Sequence, residues 1–223
     1  MSTHRETPAA AETEFLGLVA YGSLAAFERT AAASATAAQL GDKLVLARIA
    51  GQRFSHLDRL ERELVARGSS LEQAMAPFVG PVNAFNQHSE PRSAAEAMVK
   101  LCVIGGLVSD FAAIVGDQLG PELRTILVGS IDDADLAAEP GRMLAAAIAE
   151  DPDQVGRLAL YGRRLLGEAL SQAQSVASRH PQLTGLLTGL TGAEGDDLAA
   201  ISELMTRLAS AHALRMEQLG LVQ

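Results

Sequence analysis

From Ala9 to Ala76 the chain runs without a proline, and over that stretch apolar residues return every three or four positions. This period lays them along one face of an α-helix, and no strand pattern keeps it. The spacing predicts one helix from about Glu12 to Thr36 and a second from about Gly41 to Gly68, where the glycine reads as a C-cap. Next comes "SSLEQAMAPFVGPVNAFNQHSEPRS", whose Pro77, Pro81 and Pro91 mark a long connection holding one short helix. A third helix is expected from about Ser93 to Leu119. A fourth starts at Pro121, a favoured first helical position, and fades near "AAEPGR". Residues 142–149 read as a short helix, Pro152 to Arg179 as a fifth long one, and "PQLTGLLTGLTGAEG" as a loop. A sixth helix covers about Asp196 to Leu219. No repeat or linker divides the chain. The expectation is a single domain over 1–223, with a core bundle at about 12–137 and additional helices at about 142–219.

Composition agrees with an all-α fold. Ala and Leu dominate, aromatics make up 4% and tryptophan is absent, a mix that favours helix over strand. The 223 residues suffice for a sizeable core. Asp+Glu number 27 against Lys+Arg 18, a net charge of −9 that gives no general attraction to phosphate backbones or anionic membranes. Arg157, Arg163, Arg164 and Arg179 form the one basic concentration, read as a solvated helix face. A lone cysteine, Cys102, forms no internal disulfide and sits in "MVKLCVIGGLV" as a small hydrophobe, consistent with a reducing cytoplasm. That run is too short to span a bilayer, and "MSTHRETPAAAETE" lacks the apolar core of a signal peptide, so a cytoplasmic location is expected.

The inward stripes carry the chemistry. Leu18, Tyr21, Ala25, Glu28, Ala32 and Ala35 share one face of the first helix; Leu46, Ile49, Arg53, His56 and Leu60 share one of the second. The third gives Val99, Val103, Gly106, Asp110 and Ala113, and the fourth Leu123, Ile126, Ser130, Asp133 and Ala137. Each stripe sets a polar residue near mid-length among apolar ones. Burying a charge costs several kcal/mol unless it is paired or bound to metal. Four such residues at similar depth predict a shared polar centre. On the second helix the spacing is Arg53-x-x-His56. Di-iron bundles carry Glu-x-x-His there, so an arginine stands where a carboxylate would. Arginine neither ligates a metal nor loses its charge. It is therefore expected to neutralise Glu28, and Asp110 with it, as an internal substitute for a cation. Of the rest, Glu168 reads as a helix-packing ion pair, His212 as a satisfied interface histidine and His88 as exposed. "TGLLTGLTG" lacks the Gly-Lys-Ser/Thr ending of a phosphate loop.

Six strings carry a family likeness: "LVAYGSLAAFERTAAASA", "ARIAGQRFSHLDRLERELVARG", "EQAMAPFVGPVNAFNQ", "LVSDFAAIVGDQL", "GRLALYGRRLLGEALSQAQSVA" and "LMTRLASAHALRMEQLGL". Over nearly its whole length the chain resembles the ferritin-like proteins related to the tRNA 2-methylthio-isopentenyl-adenosine hydroxylase, a bacterial non-haem di-iron oxygenase. The resemblance implies an all-α, ferritin-like four-helix bundle with additional C-terminal helices; the long connection between the second and third helices suits it. It also implies a ligand set of one carboxylate on the first helix, Glu-x-x-His on the second, a carboxylate on the third and Glu-x-x-His on the fourth. Glu28 and His56 match that set, and Asp110 matches with a shorter side chain. Arg53, Ser130 and Asp133 depart from it. The expected function is a degenerate di-iron site in a non-catalytic binding or structural protein without a cofactor. The alternative is an iron oxygenase acting on a modified tRNA base through His56, Glu28, Asp110 and Asp133. A homodimer is a further expectation, and tRNA as a partner rests on the resemblance alone.

Overall fold

The computed structural model describes residues 9–115, 121–128, 134–191 and 197–222, and among these there is no strand. Helix α1 (Ala9–Thr36) turns through three residues into α2 (Leu40–Ala66). Their contacts run in opposite order along the two helices: Ser34 Oγ donates to the Lys43 carbonyl, Ser23 meets His56, and Arg67 pairs with Glu12. The pair is therefore antiparallel. At the end of α2, Gly68 adopts φ +75°, while its N–H and that of Ser69 reach the Val65 and Leu64 carbonyls. This is the glycine stop expected from the sequence, and it satisfies carbonyls the helix leaves open.

The proline-rich connection is more ordered than expected. It holds two helices, α3 (Leu71–Met75) and α4 (Val79–His88), joined by a 3₁₀ turn at Ala76–Phe78. Ser70 caps α3 by accepting from the Gln73 N–H at 3.2 Å. Then come α5 (Ala94–Val115), α6 (Pro121–Val128), α7 (Ala134–Glu150), α8 (Val155–Arg179), α9 (Pro181–Thr191) and α10 (Asp197–Gln218). Ser93 and Glu96 form a capping arrangement at the head of α5: Ser93 Oγ accepts from the Glu96 N–H, and the Glu96 carboxylate accepts from the Arg92 N–H.

Two expectations fail here. The fourth helix does not fade at Pro140, because α7 runs through it to Glu150 and buries Leu144 completely. "PQLTGLLTGLT" is helix α9 and not a loop. Leu183 and Leu186 are buried in the core, and that burial outweighs the helix penalty of its glycines.

Two clusters make the core. One joins Phe15, Leu16 and Ala20 of α1 to Leu57, Leu60 and Leu64 of α2, Phe78, Leu123 and Leu127, and Leu183 and Leu186. The other joins Leu46 and Ile49 of α2 to Val99 and Val103 of α5, Leu144, Leu158, Leu165 and, from the C-terminal end, Met216 and Leu221. Helix α5 packs against α7, α8 and α10, with lesser contact to α1, α6 and α9. Its Ala94–Ile114 stretch is long and apolar enough to cross a membrane by length and composition, with mean hydropathy 1.8 over its best window. In this fold Ala95, Met98, Val99 and Val103 of that stretch are buried in the second cluster and Ala112 in the first.

Candidate functional site

His56 lies at the centre of the α1–α2 pair, 2% exposed. Its Nε2 is 2.9 Å from the Ile126 carbonyl oxygen of α6, and its Nδ1 is 3.1 Å from Ser23 Oγ of α1. A carbonyl only accepts, so Nε2 carries the ring proton and donates. Nδ1 and the serine hydroxyl share the second hydrogen bond. The imidazole thus joins three helices, with both nitrogens engaged.

The expected polar centre does not assemble around it. Glu28 is exposed on the outer face of α1. The face of α1 that packs inward runs through Leu16, Ala20, Thr30 and Ser34, all buried, with Ser23 between them. The first-helix stripe drawn through Glu28 therefore follows the wrong register, and a hydroxyl occupies the place assigned to a carboxylate. Asp110 faces α10, where its carboxylate accepts from Arg215 Nη2 at 2.5 Å. Arg53 bonds neither Glu28 nor Asp110, so the expected ion pair is corrected as well. Its Nε is buried with no hydrogen-bond partner, and burial pushes its pKa below the ordinary arginine value. Ser130 and Asp133 lie outside the described residues. Among the described residues no three His, Cys, Asp or Glu side chains are placed to hold one metal ion. The residues mapped as ligands on α1, α2 and α5 do not fit a di-iron pair: one is on the surface, one is paired with arginine, and both nitrogens of the histidine are hydrogen-bonded within the bundle.

The polar groups that do meet were not anticipated as partners. Arg215 crosses α5 to reach Asp110 directly over Gly106; a Cβ at Gly106 would lie 1.8 Å from Arg215 Nε. Beside this pair, His212 is 3% exposed and neither ring nitrogen has a partner, which corrects its reading as a satisfied histidine. Burial and the Arg215 cation lower its pKa against the opposing pull of Asp110, so the ring is neutral at pH 7. A second network closes the end of α4. Lys100 Nζ donates to the Ser89 carbonyl and hydroxyl at 3.1 and 2.9 Å, and Tyr161 Oη donates to the same carbonyl at 2.6 Å. Ser89 is fully buried, so this serine and lysine meet no substrate; they seal a helix end. Lys100 is the only charge in "MVKLCVIGGLV", the one sequence sign of it. His88 is exposed as expected, and Glu168 pairs with it at 2.9 Å; Arg157 pairs with Glu96 at 2.7 Å.

Between α2, α5 and α7 a half-open cleft of about 240 Å³ remains. Ile49 and Arg53 line it from α2, Leu101 and Val108 from α5, and Leu136 and Pro140 from α7. Gly105 and Gly106 also border it, and a Cβ on Gly105 would lie 3.9 Å from Arg53 Nη2.

A comparison with curated proteins finds no match. A family model described as a ferritin-like domain of actinomycetes matches residues 8–190, a span from the start of α1 through nearly all of α9. That covers most of the chain and every helix of both core clusters except α10. The chain belongs to this ferritin-like domain family.

Proposed function

We propose that this protein is a non-catalytic, metal-independent bundle of the ferritin-like kind, serving as a binding or structural module. The observation that carries the reading is the double engagement of His56: Nε2 donates to the Ile126 carbonyl, and Nδ1 is hydrogen-bonded to the Ser23 hydroxyl. A histidine ligand gives its lone pair to the metal and its remaining N–H to an outer partner. Here the Nε2–H has its partner, but Nδ1 is held by a hydroxyl within the same helix packing. Arg53 supports the reading, since a permanent cation on the adjacent turn of α2 repels a divalent ion entering from that side. Cys102 fits a chain working in a reducing compartment: burial pushes its thiol up to about 11, which leaves it protonated and unreactive at neutral pH.

The test is metal content. Protein purified from iron-supplemented cells should carry well under one iron per chain and show no oxo-bridged di-iron absorption. Stoichiometric iron that disappears in His56→Leu would overturn this reading and restore the oxygenase acting on a modified tRNA base.

A further inference from the structure

We propose that the cleft between α2, α5 and α7 is a binding site for a small amphipathic monoanion, a carboxylate with a short hydrocarbon body, held at its head by Arg53. A guanidinium withdrawn from water is normally bonded to a carboxylate or phosphate, because its five N–H donors and its charge both need partners. Arg53 has no ion-pair partner among the described residues, and its Nε is buried and unbonded. The nearby carboxylate of α5, Asp110, is already taken by Arg215. The opening beside Arg53 is a cavity with walls of Ile49, Leu101, Val108 and Leu136. One cation among walls that are mostly hydrocarbon, with Gln52 and Ser109 as further polar side chains, matches a single negative charge on an apolar tail; a phosphate dianion would call for more charge. At about 240 Å³ the space falls below the roughly 300–1,000 Å³ of drug-sized sites, which sets the ligand at a short chain. Gly105 keeps the α5 side low, so that the guanidinium meets open space rather than a side chain.

This deepens the metal-independent reading and rests on it in one respect: the guanidinium must face a ligand rather than a metal-bound carboxylate. Octanoate is the probe, titrated calorimetrically into the full chain, with iron measured on the same sample. One octanoate per chain is expected, with octanol bound far more weakly. Arg53→Leu should weaken octanoate by about tenfold or more, since a charge-assisted bond contributes roughly 1.5–3 kcal/mol. Gly105→Leu, which fills the cleft and leaves the charge, should abolish binding and keeps the test valid if Arg53→Leu does not fold. Absence of octanoate binding in iron-free protein would overturn the site alone, whereas iron in the sample would overturn the metal-independent reading. Equal binding by wild type and Arg53→Leu would also overturn the site.

Discussion

At Gly17 an added Cβ would stand 2.1 Å from the carbonyl oxygen of Ala74, where α1 presses against α3. The obstacle is backbone, so neither partner can swing aside. Gly22, further along the same helix, has nothing within 4 Å of its Cβ position. Gly17→Ala should therefore destabilise the protein by about 1–3 kcal/mol. Gly22→Ala should leave it unchanged or stabilise it by up to about 1 kcal/mol through helix propensity. Urea denaturation of the two variants checks this pair, and equal effects would mean that α1 and α3 do not meet as described. The same helix shows where single residues were illegible. On α2 the stripe through Leu46, Ile49, His56 and Leu60 was correct, because large apolar residues mark the face. On α1 the run "SLAAFERTAAASA" offers alanine on every side, so the pattern could not separate Glu28 from Ser23. Exposure of Glu28 and the bond from Ser23 to His56 settle the register.

Helix α4 ends in a buried polar device, and its energetics depend on pH. Burial lowers the Lys100 pKa from 10.5 to about 8, with Arg29 adding repulsion and Glu90 opposing. Between those values the unfolded chain holds the proton that the folded chain has released. Stability contributed through Lys100 therefore rises with pH from about 8 to 10.5. Cys102 acts the other way above pH 9, since its folded thiol keeps a proton until about 11. The comparison that isolates the lysine is wild type minus Lys100→Met, from urea melts at several pH values. That difference should shift in favour of the wild type by on the order of 2 kcal/mol between pH 7.5 and 10. A pH-independent difference would show that Lys100 is not buried at Ser89. Element boundaries were readable where capping chemistry is local, as at Gly68 and at Ser93 with Glu96. They were unreadable where distant burial decides, as in α9, whose glycines and threonines look like a loop until Leu183 and Leu186 find the core.

At the scale of the whole molecule, α10 lies beyond the span matched by the ferritin-like family yet completes the second core cluster with Met216 and, past a glycine stop at Gly220, Leu221. The all-α bundle with extra C-terminal helices was legible from helical periodicity. The role of α10 was not, because Arg215 and Asp110 are far apart in sequence and nothing local signals that they pair. Arg215→Ala should cost about 1–3 kcal/mol, less than a fully buried pair because both side chains keep some contact with water. Gly106→Ala should cost a similar amount by displacing the same guanidinium, and in the Arg215→Ala background it should cost little. Additive losses would mean that Arg215 does not cross α5 at Gly106. The central claim is that the protein's own groups, a main-chain carbonyl and a serine hydroxyl, and not a metal, occupy both nitrogens of His56. It is tested most directly by the ¹H–¹⁵N spectrum of the His56 imidazole, recorded anaerobically with and without two equivalents of ferrous iron. The account predicts a ring protonated at Nε2 whose signals stay in place when iron is added. Paramagnetic loss or displacement of those signals at stoichiometric iron would contradict it.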